Sequence, residues 1–331
     1  MYIPGSSIYY LAMWVRRVQE VGRGTFIVSL PREWVERIGL SRGSRLLMVD
    51  GGSSLLLKPP KPISVYEKVV RVKRGCERLS VKEVLASYLL GYDIIRVVCD
   101  DGFDPDGRKI VKDVCRRLIG LEVVGEDSSS ITFQCIVDPE KLDVEKTFDR
   151  LRFLVYTLQE DIARTVSEDL SRIYMLTDRD DEIDRLYFLL VRLLRSPTDT
   201  AGVAIPFSRR LDLRVAGLLL ENIADRFTKL AYVLSEAVDL PRDLSSKLKP
   251  ILDKLSSIRD TALRMFIEGV LDHMDRFEQL VHENSELIEE FRRFSSLHPD
   301  PRVRGVCLEV AAIVEEIVRS YVDIADLTTP R

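Results

Sequence analysis

The chain has 331 residues, of which 46% are hydrophobic and 31% are charged. This length allows two or three domains with separate cores, and the composition is that of a folded globular protein, which excludes long disordered segments. The five cysteines are odd in number and include no C-x-x-C pair, which excludes a secreted disulfide framework and a zinc finger. Neither a signal-peptide pattern nor an apolar run of about 18 residues is present, so we expect a cytoplasmic protein without a membrane span.

The charge is distributed unevenly along the chain. The formal net charge is −4, yet residues 1–62 carry nine Lys or Arg side chains against four acidic ones, a net charge of +5. The rest of the chain therefore carries −9. A basic segment followed by an acidic body indicates an N-terminal arm that contacts a polyanion and a body with another role.

Residues 15–57 have a β-rich pattern. Strands are predicted at residues 16–21 and 25–30 around a glycine turn, then a short helix that starts at Pro31, then strands at residues 44–50 and 54–59. A thin layer of about 45 residues cannot bury the apolar side chains of these strands. We therefore expect an intertwined dimer.

The rest of the chain has two patterns. A proline-rich linker, KPPKP, occupies residues 58–62. Residues 63–140 then alternate predicted strands and helices, which indicates a small α/β sandwich with one open sheet face. Residues 143–325 are helical throughout, and their breaks predict two three-helix repeats, residues 143–239 and 241–325.

Two pairs of carboxylates in the helical half are spaced four residues apart: Asp180 with Asp184, and Glu221 with Asp225. This spacing places each pair on one helix face, where like charges repel unless a cation lies nearby. The flanking apolar runs direct both faces toward a packed interior, so a metal ion or arginines are needed there. Oxygen ligands suit Mg²⁺, Mn²⁺, Ca²⁺ or iron. The alternative interpretation is a solvated face of a highly charged helix.

The helical half resembles the PhoU family over about residues 143–325. The matching motifs are Asp180-Asp-Glu-Ile-Asp184 on the second predicted helix and Glu221-Asn-Ile-Ala-Asp225 on the third. The resemblance implies an all-α pair of three-helix bundles. It also implies a divalent or trivalent metal ion, such as iron, manganese, zinc or magnesium, bound by Asp180, Asp184, Glu221 and Asp225. The second repeat departs from the pattern, because Ile313 replaces the last acid, and this argues against a second metal cluster.

The first segment, residues 14–59, is similar to AbrB-type (SpoVT/MazE/AbrB) domains. It has the strand, the glycine turn, a second strand ending in Leu30-Pro-Arg-Glu33, a short helix and then Gly39-Leu-Ser-Arg-Gly43, with Ser44 where the pattern prefers Asp. In this family two chains interleave their hairpins into one swapped-hairpin β-barrel and present arginines to DNA.

The AbrB resemblance implies a homodimer whose DNA contacts come from arginines of this segment: Arg16, Arg17, Arg23 and Arg32. The residue type fits this role, since the planar guanidinium group binds phosphate and guanine edges with two hydrogen bonds. Lysine is absent from residues 1–57. A solvated, arginine-bearing hairpin is the alternative interpretation.

An AbrB-like arm on a PhoU-like body resembles an archaeal architecture of phosphate-uptake and transcriptional regulators. It predicts a multidomain, homodimeric, DNA-binding regulator with a metal-binding helical half. The alternative is an interaction protein for a phosphate transporter or signalling protein, in which the arm only dimerises. We do not expect an enzyme, because the Glu-x-x-His ligands of di-iron bundles are absent and no nucleophile–base pair is spaced for catalysis. The middle domain has no phosphate-binding loop, and its pattern assigns it no role.

Overall fold

In a computed structural model, the chain divides into two compact units, residues 1–64 and residues 65–331. The structure describes residues 13–22, 24–50, 55–58, 66–137, 142–195, 205–236 and 242–329. Residues 59–62 of the predicted linker lie outside these ranges. Within them, no helix has the length and apolar character needed to cross a membrane.

The first unit contains two short antiparallel hairpins. Strand β1 (Gln19–Val21) pairs with β2 (Thr25–Ile27), and β3 (Leu47–Asp50) pairs with β4 (Leu55–Lys58). Helix α1 (Arg32–Arg37), the predicted short helix, lies between the hairpins in the chain and starts one residue later than predicted, because Pro31 has extended backbone and is the N-cap. The first two strands are shorter than predicted, because each has one partner only and that partner is three residues long.

No described residue of the first unit is buried. Its strands leave large apolar side chains in contact with solvent: Phe26 is 68% exposed, Met48 62% and Leu55 60%. Isolated two-stranded hairpins are marginally stable in water, and exposed apolar surface costs about 25 cal/mol per Å². The hairpins of one protomer therefore need a further apolar surface to cover them.

The second unit begins with the predicted middle sheet. Strands β5 (Glu67–Val72), β6 (Ile94–Cys99), β7 (Leu121–Glu126) and β8 (Ser130–Cys135) lie in the order β5-β6-β8-β7. Strands β5 and β6 are parallel, and the other pairs are antiparallel. Helix α2 (Glu77–Leu89) joins β5 to β6, and α3 (Pro105–Lys112) continues into a 3₁₀ segment, Asp113–Arg117, before β7. We refer to residues 66–137 as the α/β layer.

One face of this sheet is covered and the other is open. Val70, Val97 and Phe133 are buried on the face that packs against α2 and α3. On the opposite face, Val69 is 46% exposed and Arg96 is also exposed. The alternation of inward and outward residues follows from the period of two along a strand. The predicted open face is therefore present.

The remainder of the second unit is helical, as predicted. Helices α4 (Val144–Glu168), α5 (Asp181–Arg195) and α6 (Phe207–Ser235) pack against one another, and so do α7 (Arg242–Glu268), α8 (Met274–Leu297) and α9 (Pro301–Asp326). The two sets join through α6 with α9 and α4 with α7. Local signals set several ends: the side chain of Asp143 accepts hydrogen bonds from backbone N–H groups at the start of α4, and Asp300 does the same for α9.

A buried arginine joins the α/β layer to helix α5. Arg192 is 2% exposed, and its Nη1 donates hydrogen bonds to the carbonyl oxygens of Tyr88 (2.7 Å) and Tyr92 (3.0 Å) at the end of α2. Its guanidinium also lies 3.6 Å from a carboxylate oxygen of Asp93 and 4.9 Å from the centre of the Tyr88 ring. The last carbonyls of a helix lack intrahelical partners, so a cation is favourable there.

Gly120 marks a tight position before β7, and it yields a stability prediction. Its φ is +77°, and a Cβ atom would lie 1.9 Å from Cγ2 of Val137. We expect Gly120→Ala to lower the free energy of unfolding by about 2–4 kcal/mol, since it combines a left-handed backbone with overpacking. Gly125→Ala is the matched control, because a Cβ there meets no atom within 4 Å. Urea denaturation of both variants tests this, and equal losses would contradict it.

Candidate functional site

The arginines predicted to contact DNA lie on the first unit. Arg16 and Arg17 are exposed and precede β1, which starts at Gln19; the predicted strand at residues 16–21 was too long at this end. Since β2 ends at Ile27, opposite Gln19, the described hairpin provides no partner for residues 16 and 17. Strand alternation therefore does not set the direction of these two side chains.

Arg32 is the first residue of α1, and Arg23 lies outside the described residues. Nε of Arg32 donates a hydrogen bond to Glu36 at 2.7 Å, with the two side chains 89% and 63% exposed. An exposed pair of this kind contributes less than about 1 kcal/mol, so it leaves Arg32 available for a stronger anionic partner.

Three of the four predicted metal ligands come together where α5 meets α6. One carboxylate oxygen from each of Asp184, Glu221 and Asp225 lies within 4.8 Å of the others. The two helices approach closely because α6 has Gly217 at the crossing: a Cβ there would lie 2.8 Å from a terminal methyl of Leu190 on α5. We call these three residues the acidic cluster.

Asp180 lies just outside the acidic cluster. It precedes α5, and its carbonyl oxygen accepts the backbone N–H of Asp184 at 2.9 Å. Its carboxylate is not part of the convergent group, although its charge contributes to raising the pKa values of Asp184 and Asp225. Burial raises the pKa of Asp180 itself, and the charges of Asp181 and Asp178 add to this effect.

The cluster residues hold their protons more strongly than ordinary carboxyl groups. Burial, then the charges of Asp225 and Asp180, raise the pKa of Asp184 to about 6. Burial, then Asp225 and Asp184, raise the pKa of Glu221 to about 7. The pKa of Asp225 is also raised, by burial and by Asp180. Like charges in a partly desolvated site favour protons or a metal ion.

Arginines near the cluster partly offset this repulsion. Nη2 of Arg117, from the 3₁₀ segment of the α/β layer, lies 3.5 Å from Oδ2 of Asp184. The charges of Arg214 and Arg226 lower the pKa of Glu221, but Arg226 is also bound to Glu316 at 2.9 Å. Sequence reasoning did not identify Arg117 or Arg214. The local signal for Arg117 was an arginine pair at the end of the 3₁₀ segment, and such a pair has no characteristic spacing.

The donor set fits a metal ion. Oδ1 of Asp184 is buried and has no hydrogen-bond partner in the described part of the chain, and a buried oxygen of this kind is satisfied by a water molecule or by an ion. Three carboxylates without a histidine or cysteine suit a hard cation. The second helical set has no such group among the described residues; there Glu283 pairs with Lys254, Glu309 with Lys229 at 3.2 Å and Glu315 with Arg292 at 2.7 Å.

Comparison with protein families gives the class of the first unit. Part of the first unit is similar to AbrB-like swapped-hairpin domains, a class whose members typically bind DNA and dimerise. Within that class, residues 21–64 match the family described as "Antidote-toxin recognition MazE, bacterial antitoxin". The match lies entirely within the first unit. Comparisons of the chain with curated proteins and with solved structures gave no significant match.

Proposed function

We propose that this protein is a homodimeric, DNA-binding regulator rather than an enzyme, with a metal-binding sensor in its helical half. The observation that carries the proposal is the family match over residues 21–64. Arg17, just before the matched segment, and Arg32, within it, are exposed next to the first hairpin. Two protomers that interleave these hairpins would cover the exposed strands. Their arginines would then lie on both sides of a two-fold axis, which suits the pseudo-symmetry of DNA.

The sensor role is supported by the acidic cluster. Asp184, Glu221 and Asp225 would hold the ion, with Asp180 close by, and iron, manganese, zinc and magnesium are the candidates. A bound ion supplies a fixed positive charge that joins α5 to α6. The motifs at residues 180–184 and 221–225 resemble those of PhoU proteins, which supports a link to phosphate uptake. Control of DNA binding then requires that the ion bind two states of the dimer with different affinities.

Arg17→Ala/Arg32→Ala tests the DNA-binding part. We expect the wild type to bind a mixed-sequence duplex with steep salt dependence, and the variant to bind about 10- to 100-fold more weakly, with a slope of log K against log salt reduced by up to about 4 for the dimer. Filter binding between 50 and 200 mM salt measures both quantities. The matched control is Arg172→Ala/Arg302→Ala, which removes two exposed arginines from the second unit.

Weak, salt-independent binding by the wild type would contradict this function. The first unit would then serve to dimerise, and the second candidate function would apply: an interaction protein for a phosphate transporter or signalling protein. The description of the matched family, antidote–toxin recognition, also favours a protein partner in that case.

A further inference from the structure

Arginine contacts at the two ends of helix α5 join it to the α/β layer, and they differ in strength. At the C-terminal end of α5, Arg192 is 2% exposed and binds two carbonyl oxygens of the layer. At its N-terminal end, the 60% exposed side chain of Arg117 lies 3.5 Å from Asp184 and 6.0 Å from the centre of the Phe188 ring. A buried, hydrogen-bonded arginine is costly to release, whereas an exposed ion pair contributes about 0–1 kcal/mol. The contact between Arg117 and Asp184 is therefore the one that another cation can replace.

Arg117 lies where a metal ion in the acidic cluster would compete with it for the carboxylate of Asp184. It contacts Oδ2 of Asp184, whereas Oδ1 of the same carboxylate is buried without a partner. Arg117 and Asp184 also line one cavity of about 700 Å³, between the 3₁₀ segment, α4 and α5. This cavity gives the guanidinium room to move from Asp184 without leaving the protein surface.

We infer that Arg117 is the competing cation of the acidic cluster and that it couples metal occupancy to the α/β layer. In the metal-free protein Arg117 neutralises Asp184 and holds the 3₁₀ segment against α5. When an ion occupies the cluster, Arg117 is repelled and leaves Asp184, while Arg192 keeps the rest of the layer in place. This role of Arg117 rests on the proposed metal site. It makes the α/β layer respond, through its 3₁₀ segment, to whether a metal ion is bound in the acidic cluster.

Binding of Mn²⁺, with Mg²⁺ and Zn²⁺ in parallel, to the full-length protein tests the inference by titration calorimetry. Removing one nearby charge and its ion pair in Arg117→Ala should raise the affinity roughly three- to tenfold. Arg117→Lys keeps the charge and should stay within about twofold of the wild type. Arg150→Ala is the matched control: Arg150 lines the same cavity but pairs with Glu182 at 3.3 Å, so we expect a change of less than about twofold.

Hydrogen exchange provides an independent readout. In the wild type, saturation with Mn²⁺ should increase exchange at residues 113–117 and leave residues 88–92, next to Arg192, unchanged. In Arg117→Ala, exchange at residues 113–117 should already be high without metal and should not increase further.

The outcomes separate the inference from the proposed function. If no metal binds the wild type, the metal site itself is wrong, and the inference falls with it. If metal binds the wild type, Arg117→Ala and Arg150→Ala with equal affinity, the site stands and the role of Arg117 is overturned. An equal rise in both variants would also overturn it, because the effect would then be a general one of net charge.

Discussion

Metal ions are expected to stabilise the protein strongly at pH 8 and only weakly at pH 5. Asp184 and Glu221 have pKa values of about 6 and about 7 in the folded state, against ordinary values of 3.8 and 4.5. Metal binding requires the deprotonated carboxylates, so it competes with protons up to about pH 7. With an ion at about 100 times its Kd, the stabilisation at pH 8 should be about 2.7 kcal/mol. Melting temperatures with and without Mn²⁺ from pH 5 to pH 8 measure this.

The metal-free protein should show the opposite trend with pH. Because the folded pKa values are raised, the folded state binds more protons than the unfolded state between about pH 4 and pH 7. The contribution of these groups to the free energy of unfolding therefore falls as the pH rises through this window. After allowance for partial exposure, we expect a loss of about 2 kcal/mol by pH 8.

The double variant Asp184→Asn/Glu221→Gln should remove both the stabilisation by metal ions and the loss of stability of the metal-free protein as the pH rises. At pH 8 without metal this variant is expected to be more stable than the wild type, because the repulsion within the cluster is gone, and Mn²⁺ should no longer raise its melting temperature. The matched control is Glu283→Gln/Glu290→Gln, whose carboxylates have lowered pKa values because they accept hydrogen bonds from Lys254 and Lys247. That control should lose stability at pH 8. A loss of stability in the cluster variant as well would contradict the predicted repulsion.

Arg192→Ala is expected to produce the largest loss of stability, about 3–4 kcal/mol of the free energy of unfolding of the second unit. The substitution removes the Arg192 donor from the carbonyl oxygens of Tyr88 and Tyr92, of which Tyr88 keeps the backbone N–H of Gly91, leaves Asp93 without its cation and opens a cavity beneath α2. Arg192→Met should recover the part of the loss that is due to the cavity, but not the part due to the carbonyl groups. Guanidinium denaturation followed by circular dichroism measures these differences.

Arg195→Ala is the control for this prediction. Arg195 lies one turn further along α5 and is exposed, and its hydrogen bond to the carbonyl oxygen of Leu89 is long, at 3.5 Å. Its removal should cost less than about 0.5 kcal/mol. If the two alanine variants lose the same stability, Arg192 does not anchor the α/β layer as the contacts indicate.

Local patterns predicted the secondary structure of this protein well. The short helix next to Pro31, the start of the helical half at residue 143 and the alternation of strands and helices in the middle domain depend on neighbouring residues only, so the sequence reveals them. The exceptions are element ends. Residues 143–239 were predicted as three helices, but α4, the first of them, ends at Glu168 and a separate 3₁₀ segment, Leu170–Leu176, follows. There the side chain of Asp169 accepts the backbone N–H of Ser171 and starts a new segment.

The candidate metal site was predictable in part. The spacing of four residues placed Glu221 and Asp225 on one face of α6, as the geometry of any helix requires. The same rule paired Asp180 with Asp184, but Asp180 precedes the first turn of α5 and its carboxylate does not converge with the others. The rule for helix faces applies only inside a helix, and the start of a helix is uncertain by a few residues.

By itself, the amino-acid sequence determined the order and type of the elements, the basic N-terminal segment and its AbrB-like pattern, and the carboxylate pairs on the helices. Only the tertiary structure decided that Asp184 meets Glu221 and Asp225 across the α5–α6 crossing at Gly217, and that Arg117 and Arg192 contact the two ends of α5. The physical reason is the range of the interactions. Helices, turns and caps form among residues a few positions apart, whereas these contacts join distant segments whose approach is set by packing of the whole core.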